Sequence, residues 1–267
     1  MIKRSFSIVC ITITLITTGT GCQGKGGEAL TQVAAKLVSA ASANFKPETK
    51  TQVTTTDSVE QQKAAHLAVL IDILGLAAKA SGASDADIQK AKSETSQDKI
   101  KADTVYKQVS VYARGSLLMA GVAAKAAGAS ETDVQNLLSQ TLLKVQSFAT
   151  SPEQTATFLS ALVNMMGMLA QAKGASDSAI QSVNSVVSST HATAAPDNIA
   201  LQTALSAKRF MLMTGGAARV AGASESEVLK VASDASVDEK LADTIHKKIV
   251  AYLKASIDMV GLLATAK

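Results

Sequence analysis

Gly128-Ala129-Ser130-Glu131-Thr132-Asp133-Val134 decides the fold. A glycine that follows an apolar, helix-forming stretch supplies the left-handed residue that closes a helix at C′. Ser130, two positions on, is placed to accept a hydrogen bond from the first free N–H groups of a second helix. Acids at the new helix start and Lys125 in the last turn of the old one suit the two helix dipoles. The heptapeptide therefore reads as the turn of a helical hairpin.

The same turn returns along the chain. Gly82-Ala83-Ser84, Gly174-Ala175-Ser176 and Gly222-Ala223-Ser224 repeat the triplet, at successive spacings of 46, 46 and 48 residues from Gly82. Each triplet is followed by an acid (Asp85, Glu131, Asp177, Glu225) and then by a β-branched residue (Ile88, Val134, Ile180, Val228). Asp87, Asp133 and Glu227 resemble the acid of a capping box, a pattern Ala179 breaks. Another glycine stands seven residues before each triplet, at Gly75, Gly121, Gly167 and Gly215, and Gly261 continues the series. A longer echo pairs Ala102-Asp103-Thr104-Val105 with Ala242-Asp243-Thr244-Ile245. Periods of this length point to stacked supersecondary units. The expected fold is all-α, with helical-hairpin repeats of about 46 residues forming a bundle or a short solenoid.

Within each unit the helix before the turn is long and apolar. Residues 156–172 carry no formal charge, so this helix is either surrounded by protein or held in lipid. The helix after the turn is amphipathic, as in Val134, Leu137, Leu138, Thr141, Leu142 and Val145. Apolar helices are thus expected at the centre, with amphipathic ones covering them. Ser151-Pro152-Glu153 has the order of a helix start, and residues 188–195 are expected to form a loop. A mid-helix glycine costs about 1 kcal/mol against alanine; its recurrence suggests a close crossing of helices. Ile73, Met119, Met165, Met213 and Met259 stand two residues before these glycines and read as core filling, with an adaptable binding stripe as the alternative.

Composition narrows function. Of 267 residues 47% are hydrophobic and only 3% aromatic, which excludes a disordered chain. The net charge is +4, and falls to +2 without Lys3 and Arg4. Near neutrality with so few aromatics leaves no footprint for nucleic acid. His66, His191 and His246 form no ligand pair and the two cysteines stand apart, so no metal or cofactor is expected. His66 shares a register position with Tyr112, Phe158, Ser206 and Tyr252, and reads as half-buried packing. No phosphate-binding, nucleophile-elbow or zinc-protease motif occurs, and no catalytic residue is assigned. An enzyme would require Asp72 or Asp258, both on apolar helices, to share a pocket with a histidine.

The N-terminus points to export. Met1-Ile2-Lys3-Arg4 is a basic start, and residues 6–18 form an apolar stretch too short to span about 30 Å of hydrocarbon comfortably. Gly19-Thr20-Gly21-Cys22 follows. These residues resemble the lipobox of bacterial lipoprotein precursors, in the relaxed form similar to that of spirochaetal lipoproteins, although Gly19 replaces the usual leading Leu. The resemblance covers 22 residues. It implies a signal peptide over residues 1–21 and acylation of Cys22 through a thioether-linked diacylglyceryl group, with a further acyl chain, such as palmitate, on the freed amine. Residues 22–57 would supply a flexible tether, an N-terminal helix over 28–43 and a linker around Pro47, ahead of a repeat domain over 58–267. The expected function is that of an exported, membrane-anchored lipoprotein with a non-catalytic binding or structural role at the cell envelope, at the outer membrane or cell surface. The alternative is a membrane-active, pore-forming helical protein.

Overall fold

The four triplet glycines share one backbone conformation, with φ of +97° at Gly82, +102° at Gly128, +101° at Gly174 and +112° at Gly222. At each, the alanine that follows donates back into the helix. Ala83 reaches Ala78, Ala129 reaches Ala124, Ala175 reaches Ala170 and Ala223 reaches Ala218, each at 2.9 Å. This is the six-to-one bond of a Schellman motif. Ser84, Ser130, Ser176 and Ser224 then accept from the backbone N–H three residues on, at 3.1–3.3 Å. Lys79 pairs with Asp85 (2.8 Å), Lys125 with Glu131 (3.3 Å) and Arg219 with Glu225 (3.6 Å), each straddling its turn.

The acids of the Ser turns behave differently from the expected capping box. Asp87 and Glu227 accept from the Ser84 and Ser224 hydroxyls themselves. A complete capping box forms at Thr150 and Glu153 instead, where Thr150 N–H donates to Glu153 at 3.2 Å. Thr150, not Ser151, is therefore the cap of that helix.

The computed structural model of the chain describes residues 56–191 and 199–266. Nine helices fill them: α1 (Thr56–Ala80), α2 (Asp85–Ile100), α3 (Val105–Ala126), α4 (Glu131–Gln146), α5 (Ser151–Ala172), α6 (Asp177–His191), α7 (Ile199–Val220), α8 (Glu225–Leu241) and α9 (Ile245–Thr265). No strand occurs among the described residues. Helix α6 runs through Ser188 to His191, so the first half of the expected 188–195 loop is helical. The export signal, Cys22, the tether and the 28–43 helix lie outside the described residues.

The long odd-numbered helices pack in sequence, α1 on α3, α3 on α5, α5 on α7 and α7 on α9, and α9 packs back on α1. The expected bundle-or-solenoid choice is thereby resolved as a bundle whose five inner helices close into a ring. Even-numbered helices lie outside, each packed mainly on the inner helix that follows it. Because every inner helix returns through an outer one, the five inner helices run parallel. Helix α5 is long and apolar enough to cross a membrane by length and composition, yet two thirds of its apolar window is buried within the ring.

The mid-helix glycines are notches for side chains, not sites of backbone contact. A Cβ at Gly75 would sit 3.5 Å from Ile88 of α2 and 3.8 Å from Met119 of α3. At Gly121 the corresponding neighbours are Val134 and Met165, and at Gly215 they are Met259 and Val228. The buried Met119, Met165, Met213 and Met259 thus fill the core, one helix onto the next. The tightest glycine is one the repeat pattern did not mark. A Cβ at Gly115 would lie 2.5 Å from Thr95 of α2 and 2.8 Å from Ile71 of α1.

Candidate functional site

Parallel inner helices bring five helix starts to one end of the ring, and a pocket of about 90 Å³ opens there on the ring axis. Its mouth takes one residue from each inner helix: Glu60, Tyr106, Pro152, Ala200 and His246. A second tier, Lys63, Val109, Thr155, Thr203 and Ile249, lies one helical turn deeper. Leu67, Leu159 and Leu253 line the floor. In each tier successive members stand 46, 46, 48 and 46 residues apart. The threonine hydroxyls donate to backbone carbonyls of their own helices, Thr155 to Ser151 at 2.9 Å and Thr203 to Ile199 at 2.7 Å. That leaves their methyl groups to face an apolar interior.

Charge is concentrated on one side of the mouth. The Lys63 ammonium donates to Glu60 Oε1 at 2.6 Å and to His246 Nδ1 at 2.8 Å. His246 Nδ1 also lies 3.3 Å from Glu60 Oε1. Both side chains of the Glu60–Lys63 pair are only 5% exposed, whereas His246 is 38% exposed. Burial by itself would raise the Glu60 carboxyl, but the hydrogen bond to His246 and the Lys63 charge outweigh it and hold it below the usual carboxylate range. Burial pushes Lys63 down, against the opposing pull of Glu60. Nδ1 of His246 is thus within reach of both neighbours, accepting from the Lys63 ammonium in one tautomer and donating to the Glu60 carboxylate in the other. Five helix N-termini around this mouth add partial positive charge.

The residues singled out by sequence fall elsewhere. Asp72 is paired with Lys92 at 2.7 Å on the outside of the ring. Asp258 is exposed; partial burial and Asp234 raise its pKa, against Lys254 and His66. Neither aspartate lines the pocket. His66 is half-buried and donates through Nδ1 to the Gln62 carbonyl at 2.7 Å, the packing role expected of it. Cys22 lies outside the described residues. Among the described residues no group of three His, Cys, Asp or Glu could hold a metal ion.

A second buried pair serves the scaffold. Lys208 of α7 binds both oxygens of Glu239 on α8, at 3.0 and 3.2 Å, and lies 5.3 Å from the centre of the Tyr252 ring on α9. Burial and the adjacent carboxylate push the Tyr252 phenol far up, keeping it neutral. Arg114 pairs with Asp98 between α3 and α2, both side chains half-buried. A larger but open groove, about 750 Å³, runs over the outside of α4, α5 and α7. No protein-family model, curated protein or solved structure matches this chain.

Proposed function

We propose that the chain is an exported, lipid-anchored protein of the bacterial envelope that binds a small ligand at the axial mouth without transforming it. The observation that carries this reading is the Glu60–Lys63–His246 cluster, an ionic rim on an otherwise apolar pocket. Such pockets, apolar walls with a few convergent polar groups, are the common form of small-molecule sites. The ligand chemistry that fits is an acidic head toward Lys63 and the helix N-termini, with a short apolar tail on the axis. A pocket of this size takes only a fragment-sized tail.

Catalysis is disfavoured because Lys63 is held between two acceptors and the nearby threonine hydroxyls are engaged with backbone. Acylated Cys22 would retain the protein at a membrane, at the outer membrane or cell surface, since two or three acyl chains hold almost permanently. Insertion of α5 into lipid is the second reading, favoured by that helix's length and composition; it would require the ring to open.

Two measurements test the proposal. The intact N-terminal mass of protein from native membranes, with and without a lipoprotein signal peptidase inhibitor, should show acylated Cys22 only in the untreated cells. Calorimetric titration with hexanoate should give saturable binding that disappears in the Glu60→Leu, Lys63→Met double variant. No heat of binding would sink the axial site and leave tethering to be decided by mass. Dye leakage from liposomes caused by the non-acylated protein would instead favour insertion.

A further inference from the structure

The two ends of the ring differ in their exposed side chains. Outer helices run back against the inner ones, so α2, α4 and α8 end beside the axial mouth. In their last two turns Ile100 is 86%, Leu143 68%, Val237 53% and Leu241 77% exposed. These are four of the six large hydrophobic residues exposed among the described residues; the other two, Val69 and Leu76, stand on α1. Leu143 and Val237 hold the same register, two repeats apart. A lysine adjoins the apolar residue at each helix end, in Ile100-Lys101, Leu143-Lys144 and Lys240-Leu241. Lys101, Lys144 and Lys240 are exposed and meet no carboxylate among the described residues. The nearby acids are committed elsewhere. Asp98, Asp103, Asp238, Glu239 and Asp243 are each paired with a lysine or arginine, and Glu153 closes its capping box. The opposite end has the reverse surplus. Every outer helix opens there on an acid and three of them on two, against one base (Lys79, Lys125, Lys173 or Arg219) before each turn.

We infer that the mouth end docks on the surface of an anionic lipid bilayer. Ile100, Leu143, Val237 and Leu241 enter the boundary between headgroups and acyl chains, and Lys101, Lys144 and Lys240 reach the lipid phosphates. Lysine suits this place because its stem lies along apolar material while its ammonium stays at the headgroups. The apolar residues stand on three separate helix ends, which a flat, fluid surface meets together. A protein partner would need a continuous patch there. The acid-rich end is repelled by the same surface, so both ends set one orientation. Helix α1 starts on the docking side, at Thr56, so the chain enters the ring next to the membrane. The axial pocket then opens toward lipid. This docking goes beyond the binding of a small ligand and needs no acyl group on Cys22.

Cosedimentation with vesicles tests the inference on the mature chain from residue 22 carrying Cys22→Ser, whose binding owes nothing to acylation. Binding to equal phosphatidylglycerol and phosphatidylcholine should exceed binding to phosphatidylcholine alone by about tenfold or more, and should weaken with salt. Each lysine near such a surface contributes about fivefold, so Lys101→Gln, Lys144→Gln and Lys240→Gln together should weaken binding on the order of a hundredfold. Ile100→Ser, Leu143→Ser and Leu241→Ser should weaken it by about tenfold or more and leave urea unfolding unchanged, because all three side chains are exposed. An environment-sensitive dye reports the face directly, since this chain has no other cysteine. On Leu143→Cys it should shift to the blue with anionic vesicles, and on Glu131→Cys, at the far end of the same helix, it should not. Binding that survives both triple variants overturns the proposal, as does a blue shift at Glu131→Cys. A shift at Leu143→Cys that grows with protein concentration in the absence of vesicles overturns it in favour of a second copy. Release of dye entrapped in the vesicles overturns it in favour of insertion.

Discussion

Lys63 on α1 donates to Nδ1 of His246 on α9 at 2.8 Å, across 183 positions of sequence. The hydrogen bond joins the first and last described helices, and Glu60 holds both partners. Glu60, Lys63 and His246 thus belong both to the seam of the ring and to the lining of the axial pocket.

Glu60→Gln leaves the Lys63 charge buried with only a neutral neighbour. Removing one member of a buried pair costs about 3–5 kcal/mol, while replacing both with apolar residues is often neutral. Urea unfolding should therefore show a large loss in Glu60→Gln and recovery in the Glu60→Leu, Lys63→Met pair. Equal stability of all three would show that the pair carries no weight.

Acid should act on the same group. A carboxyl held below its unfolded value of about 4.3 adds stability in full above that pH and loses it as pH falls through the folded value, because the unfolded chain then binds more protons. Lys63 has the opposite starting point. Its lowered pKa makes stability rise with pH over the interval beneath about 10.4, where the unfolded chain holds the extra proton. Chemical denaturation across pH should show both limbs, with the acid limb flattened in the Glu60→Leu, Lys63→Met variant and the alkaline limb absent from it.

Two glycines in the inner helices should respond in opposite ways to alanine. At Gly115 the added methyl would meet Thr95 at 2.5 Å and Ile71 at 2.8 Å, and overpacking of this kind costs about 1–3 kcal/mol. At Gly167 the nearest atoms are 3.5 and 3.9 Å away, so the gain of roughly 1 kcal/mol in helix propensity should survive. Thermal melts of the two single variants decide it, and a stabilised Gly115→Ala would refute the contact.

Gly128 tests backbone strain alone. Its φ is +102° and nothing lies within 4 Å of an added Cβ. Alanine and leucine should therefore cost nearly the same, about 1–2 kcal/mol, through the left-handed conformation. A much worse leucine variant, measured by melting, would mean that the turn is packed.

Local chemistry explains which of these features could be read in the chain. The Gly-Ala-Ser turns were legible because φ sign, Schellman bond and cap are decided within a few residues. The axial cluster was not, since Glu60 and Lys63 at i, i+3 look like a solvated helix face. One signal was present: Lys63 shares its register with Val109, Thr155, Thr203 and Ile249, none of them charged. A charge in an otherwise uncharged column marks a buried exception. Ring closure left no such mark, because no sequence spacing specifies that α9 meets α1. The glycine spacing suggests close crossings of helices, but the sequence does not show that side chains of the neighbouring helices fill the space above each glycine.

Closure also bears on how the chain fails. Among the described residues, the docking of the last inner helix on the first joins the elements farthest apart in sequence and so has the highest contact order. Before it forms, the nascent curve has two complementary ends, the free side of α9 and the free side of α1. If Lys63 and His246 fail to meet within one molecule, the same surfaces can join head to tail between molecules. Such heterologous contacts grow into open filaments or larger rings unless rotation closes them. Loss of the ionic clasp at the seam should therefore favour polymerisation over closure within one chain.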